Sequence, residues 1–305
     1  MITLTPRGPF SLAASVRFLE GFPPAAVRPT GHDVLDLALP LEGSWAVVGI
    51  RARQAEDGSV EAEVVPAAGR LDEGEPAQAR DQLARILSLD VDGEGFVALA
   101  DGDPVVRRLQ ALYPGLRPVT FWSPYEAACW AVISHRIRMT QAAAVKARIA
   151  EQFGTAVRVA DRTLTAFPAP QALLAAGEAL DGVRGLAGPK AAWLRGIAQA
   201  ALDGRLDAAH LRALPRDEAL RELRTLPGVG PFSSELVLLR GAGDPDGFPS
   251  QERRLHRAMA SLYDLGDDPD PETLQRVAEG WRPYRTWVSL LLRVWLEDRS
   301  HELAS

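Results

Sequence analysis

The sequence predicts an α+β chain, with an N-terminal α+β domain over residues 1–115 and a helical domain over residues 116–305. Alternating and β-branched runs, broken by Gly, Pro and charged turns, are confined to the first third. Beyond it the chain reads as short helices, each closed by Gly or Pro. A length of 305 residues suits two domains with substantial cores.

Taken in order, FSLAASVRFLEGF (10–22) fits either a short strand or a helix. VLDLALPLEGSWAVVGIRARQ (34–54) and SVEAEVVPA (59–67) carry the alternation of strands and hairpins. EPAQARDQLARILSLD (75–90) has helical periodicity, so the first domain ends between Asp92 and Gly115. DGDPVVRRLQALYPGLRPVTF (101–121) is a linking helix and loop punctuated by Pro114, Gly115 and Pro118. SPYEAACWAVISHRI (123–137) opens with Ser123 as N-cap, Pro124 at the first helical position and Glu126 three residues on. Everything after that is expected to be helical: TQAAAVKARIAEQFG, APQALLAAGEAL, PKAAWLRGIAQAALDG, PRDEALRELRTL and SSELVLLRG. No repeat of fixed period runs through them.

Composition narrows the function classes. Apolar and charged fractions of 47% and 24% are those of a globular protein rather than a disordered or fibrous one. The single cysteine, Cys129, excludes a disulfide framework, a CxxC zinc site and a cysteine-held iron–sulfur cluster. The five histidines are scattered, and His135 has no carboxylate or second His at ligand spacing, which points to no metal and no cofactor. No run of about 20 apolar residues occurs, and the first residues lack a basic-then-apolar leader, so the expectation is a soluble, cytoplasmic protein. A net charge of -6 argues against a general nucleic-acid coat. Segments 135–148 and 252–257 are nevertheless basic, and phosphate responds to the face presented rather than to the total.

The most specific string is LPGVGPFSSELVLLRG (226–241), within a helical pair spanning about 216–241. Gly228 and Gly230 around Val229 permit positive φ and close backbone approach, and the following helix starts with unpaired amides. Such a turn grips a phosphate without reading sequence, although a Gly-x-Gly by itself is more often an ordinary helical hairpin.

The full string resembles the helix-hairpin-helix of the HhH-GPD superfamily of base-excision DNA glycosylases. With SPYEAACWAVISHRI, LAGPKAAWLRGIAQAALDGRLD and WRPYRTWVSLLLRVWLED, the chain is similar to the 3-methyladenine DNA glycosylase II branch over most of its length. The resemblance implies a two-lobed, all-helical glycosylase domain with a cleft for a flipped nucleotide. Its substrate would be double-stranded DNA containing damaged bases, bound by a monomer associated with the nucleoid.

The resemblance also implies roles. Superfamily members that nick the strand carry a lysine where this chain has Phe232, so it implies a monofunctional enzyme using water. A carboxylate near the sugar stabilises the oxocarbenium-like transition state. The family's Asp for this purpose corresponds to Glu252, a Glu one methylene longer. A purely structural reading makes Glu252 a first-turn acid of a helix capped by Ser250, and Asp244 and Asp246 remain rival acids within a turn. Phe232, Leu236 and Trp295 match the positions that stack on a cationic base, with Leu236 replacing a frequent Tyr. Gly228, Val229, Gly230, Phe232 and Ser233 would hold DNA phosphate, and His135 and Arg136 lie where the family inserts a wedge into the gap left by the base. The alternatives are a noncatalytic binder of damaged or abasic DNA, or a glycosylase for another lesion.

Overall fold

The computed structural model describes residues 1–24, 31 and 33–302. β1 (Ile2–Leu4), α1 (Leu12–Glu20), β2 (Val34–Pro40), β3 (Val47–Gln54), β4 (Val60–Pro66) and α2 (Glu75–Ile86) make up the first layer pair. The strands form an antiparallel sheet in the order β1-β4-β3-β2, with Leu37 opposite Ile50 and Ala52 opposite Ala62. The ambiguous stretch 10–22 is a helix because Leu12, Val16 and Leu19 fall on one stripe that the sheet buries. Ser11 caps it, its Oγ accepting the Ala14 amide at 3.1 Å.

α3 (Glu94–Gly102) and α4 (Pro104–Leu112) follow, and they leave this first core. Phe96, Val106, Leu109 and Leu116 instead share a core with Leu255, Trp281, Trp287 and Trp295 near the C-terminus. The boundary expected at residue 115 therefore runs through a continuous core.

α5 (Pro124–Ser134), α6 (Met139–Phe153), α7 (Pro170–Ala175), α8 (Lys190–Leu202), α9 (Ala208–Ala213), α10 (Arg216–Leu223) and α11 (Pro231–Leu236) build a second core. A π-helical turn, Val237–Gly241, prolongs α11. α12 (Arg253–Tyr263), α13 (Pro271–Glu279) and α14 (Arg285–Glu302) complete the chain. Ser123 caps α5 as its sequence requires, accepting the Glu126 amide at 3.0 Å. Glu126 does not complete the capping box but turns inward to Lys146 at 2.5 Å.

The expectation that everything beyond residue 123 is helical is contradicted. β5 (Thr155–Val159) and β6 (Arg162–Ala166) form an antiparallel hairpin between α6 and α7. Its buried Val157 and Val159 pack over Gly49 of β3, where a Cβ would collide with both side chains. The small-residue gap in a distant strand is what accommodates the hairpin.

Charged side chains tie the sheet layer to the helices. Arg85 on α2 donates to the carbonyls of Trp122 at 2.8 Å and Gly241 at 2.5 Å and pairs with Glu42, which accepts the Ala208 amide at 3.1 Å. Burial raises the Glu42 pKa, with Arg85 opposing. Arg117 is buried beneath Trp287 and donates to Pro9, Ser88 and Gly8 carbonyls at 3.0 Å each, and burial pushes its pKa down to about 10.

Candidate DNA-binding and catalytic site

α10 ends at Leu223, and the chain turns through Pro227, Gly228, Val229 and Gly230 into α11. Gly228 has φ +76°, and a Cβ there would meet Trp193 Cε3 at 2.5 Å, so both conformation and space demand glycine. Val229 is buried and pins the turn to the helical core. Arg224 Nε donates to Ser234 Oγ at 3.2 Å, and Ser234 Oγ donates to the Pro231 carbonyl at 2.9 Å, locking the two helices together. Phe232 and Ser233 lie in the first turn of α11, where amides have no helical acceptor. Phe232 is 51% exposed at this edge.

Glu252 is the N-cap of α12 and accepts the Arg254 amide at 3.4 Å. Its side chain is 24% exposed, and Oε2 meets Arg293 Nη1 of α14 at 2.6 Å. Arg293 Nη2 holds Glu297 at 2.6 Å, so one guanidinium serves two carboxylates. Ser250 is not the cap expected from the sequence: its hydroxyl donates to Glu235 Oε1 of α11 at 2.7 Å. The Gln251 amide lies 3.4 Å from the other Glu235 oxygen. The buried Glu235 thus fastens the loop bearing Glu252 to the helix that starts at the Gly228–Gly230 turn.

His256, one turn into α12, stacks on Phe248 with ring centroids 6.2 Å apart. Burial lowers its pKa, while Glu252 and Glu235 oppose the shift. Behind Arg293, Arg240 lies over the rings of Phe18 and Phe22 and donates to the Val119 carbonyl at 2.7 Å. Burial, with Arg293 as the next contributor, pushes Arg240 down to about 10.

The rival acids are committed elsewhere. Asp244 pairs with Arg216 at 2.8 Å, and Asp246 with Arg282 and Arg285 at 2.8 and 2.9 Å. Trp295 is only 5% exposed within the C-terminal core, with Arg299 over its ring. It lies two positions after Arg293, about 200° around a helix, so the α14 group that reaches Glu252 is a cation rather than an aromatic ring. Leu236 packs against the helical core. The expected stacking set thus leaves Phe232 as its exposed member.

The α5–α6 turn places His135 and Arg136 at the surface. Arg136 has φ +57°, a left-handed conformation uncommon for a non-glycine residue. Lys190 Nζ at the start of α8 donates to the carbonyls of Ile133 and His135 at 2.8 and 2.9 Å, and burial lowers its pKa. Lys190, Glu235 and Arg293 did not emerge from the motif reading. Their one signal is a charged residue inside or at the edge of an apolar helical run. Among the described residues, no cluster of three or more His, Cys, Asp or Glu is placed to hold a metal, and no helix is long and apolar enough to cross a membrane.

No family model matches the chain. A DNA-3-methyladenine glycosylase of Bacillus subtilis is 24% identical over 206 residues, 67% of either chain. A probable bifunctional transcriptional activator/DNA repair enzyme AlkA of Mycobacterium tuberculosis is 30% identical over 226 residues, 72% of this chain and 43% of that protein. The 3-methyladenine DNA glycosylase of Archaeoglobus fulgidus superposes with a TM-score of 0.79 at 24% identity, covering 97% of this chain and 99% of that one. The chain is thus similar in sequence to DNA-3-methyladenine glycosylases and shares the fold of one. It spans about two thirds of the Bacillus relative and less than half of the mycobacterial one.

Proposed function

We propose that the protein is a monofunctional DNA glycosylase that hydrolyses the N-glycosidic bond of alkylated purines of the 3-methyladenine type, in base excision repair. The observation that carries this reading is the tether from hairpin to carboxylate: α11 starts at the phosphate turn and, through Glu235, holds the loop that presents Glu252. Phosphate and sugar are neighbours in one nucleotide, so an enzyme that acts on the sugar needs these two elements in fixed register.

The hairpin amides bind a phosphate next to the lesion, and Arg136 fills the space the base vacates. The flipped nucleotide presents its sugar to Glu252 between the two helical lobes. The C1′–N bond breaks with its electron pair going to the base, whose alkylation has made it a good leaving group. Glu252 stabilises the positive charge that develops on the sugar and orients a water, whose oxygen bonds C1′ as its proton passes to the carboxylate. The products are free base and an abasic site. Phe232 offers no amine, so no imine to the sugar forms at that position. Duplex DNA with a damaged base is the partner, and a single chain supplies every group invoked.

The test is release of free base from methylated duplex DNA by wild type, Glu252→Gln and Glu252→Asp. The reading requires release by wild type and its loss in the Gln variant. A wild type that binds the DNA but releases nothing above background marks a noncatalytic binder. Full activity in Glu252→Gln removes Glu252 from the chemistry while leaving the glycosylase reading standing.

A further inference from the structure

We infer that Lys190 and Trp193 of α8 are positioning residues that hold the His135–Arg136 turn in register with the phosphate hairpin, so that wedge and grip engage DNA as one body. The inference rests on the glycosylase reading and adds a device to it.

Three contacts lie along one side of α8. Lys190 spans the turn with two donated bonds, to the Ile133 and His135 carbonyls at 2.8 and 2.9 Å. One turn on, Trp193 stands between the two DNA-facing loops. The His135 ring lies 6.2 Å from it, and Gly228 presses so closely that a Cβ would come within 2.5 Å of its ring. Another turn on, Gly196 gives room to Pro227, whose Cγ would lie 2.7 Å from a Cβ. Wedge turn and hairpin, over 90 residues apart in sequence, therefore rest on one helix.

The bland role for Lys190 is to cap the C-terminus of α5, whose last carbonyls need donors and whose dipole favours a cation. That role explains the Ile133 bond. It does not explain the second bond, to the C-cap residue His135, whose ψ of 119° turns its carbonyl off the helix axis and which stands next to the residue with φ +57°. A non-glycine residue keeps a left-handed conformation only when its surroundings over-determine it. Here the determinants are the Lys190 bond on the preceding carbonyl and the bonds on either side: the His135 amide to the Val132 carbonyl and the Ile137 amide to the Ser134 carbonyl, each at 3.3 Å. Those two are long, whereas the Lys190 bonds are short and charge-assisted. Lys190 is also 8% exposed, so it is paid for as a buried cation yet forms no ion pair among the described residues. Arg136 itself has no partner among them, which leaves its side chain available to DNA.

The test uses the full chain with 2-aminopurine as the target nucleotide in duplex DNA, which brightens when it leaves the stack. Lys190→Met should bind DNA within about threefold of wild type, because the hairpin is intact, while its flipping equilibrium falls about tenfold or more as the turn loses its strained tip. Lys190→Arg, which keeps donors for both carbonyls, should restore most of the signal. Base release should fall for a fully paired lesion and recover for one placed opposite an abasic site, where little unstacking is needed. If Lys190→Met folds poorly, Lys190→Gln, which keeps one donor, should give an intermediate flipping signal. Normal brightening by a folded Lys190→Met overturns the inference and leaves the glycosylase reading untouched. Equal losses on paired and unpaired lesions also overturn it, since that is what general structural damage produces. Absence of brightening and of base release in wild type overturns both readings.

Discussion

The exchange Glu252→Gln carries the most information when combined with Arg293→Met. Gln keeps the length of Glu252 and removes its charge. A unit charge developing on the sugar about 4 Å from the carboxylate is stabilised by about 4 kcal/mol at an effective dielectric constant of 20. Arg293 contacts the carboxylate at 2.6 Å. Its guanidinium centre then lies about 7 Å from the sugar and opposes the same charge by about 2.4 kcal/mol. Losing the carboxylate should therefore slow single-turnover base release by about a thousandfold, taking 1.36 kcal/mol per decade. Removing Arg293 in the Glu252→Gln background should return about fiftyfold of that loss, because the remaining cation only repels. In the wild-type background, Arg293→Met also frees the carboxylate from its anchor, so the two effects oppose. Glu297 still holds Arg293 in the single Gln variant, which limits the stability cost to about 1–2 kcal/mol. The assay is single-turnover release of labelled base, with thermal melting in parallel. A Gln variant within threefold of wild type, or further slowing when Arg293 is removed beside it, refutes the electrostatic account.

Gly228→Ala combines an unfavourable φ with a clash against the Trp193 ring; it should lose about 1–3 kcal/mol of stability and weaken DNA binding even where the protein stays folded, as calorimetry and fluorescence anisotropy would record. His256 has a folded pKa below its usual 6.5, so its contribution is complete above that pH and is lost as pH falls from 6.5 toward the folded value. Urea titrations of His256→Gln should accordingly show a flatter dependence of stability on pH across that window than wild type. Arg85→Met strands the Glu42 carboxylate among buried groups and frees the Gly241 and Trp122 carbonyls, a loss of about 3–5 kcal/mol by denaturant unfolding.

Local signals were legible where the physics is local. Ser123 caps α5 because its neighbours are Pro124 and Glu126, and the φ of Gly228 follows from the Gly-x-Gly turn. Strands β2 to β4 announce themselves by alternation. The β5–β6 hairpin did not, because five-residue strands flanked by helices are stabilised by a gap at Gly49, over 100 residues earlier. The same reason hides the affiliation of Phe96 and Leu109 with the C-terminal core. Within the candidate site, the Gly-x-Gly turn was legible as a motif, and Glu252 stood out only through the resemblance, as the position matching the family's Asp. Its surroundings were not legible: whether Trp295 or Arg293 of α14 faces Glu252 depends on helix rotation, which the stretch 287–296, apolar except for Ser289 and Arg293, leaves undetermined until packing sets it. Ser250 looked like a cap because it precedes a helix, but Glu235, distant by 15 residues, competes for its hydroxyl.

The most direct test of the central claim is incubation of the protein with methylated duplex DNA in heavy-oxygen water, with borohydride added to a parallel sample. The account predicts free alkylated purine, an intact strand whose abasic sugar has gained one heavy oxygen atom, and no covalent protein–DNA product on reduction. Strand nicking with a reduced covalent adduct would show an amine nucleophile and contradict monofunctional hydrolysis, and absence of any released base would contradict the enzyme itself.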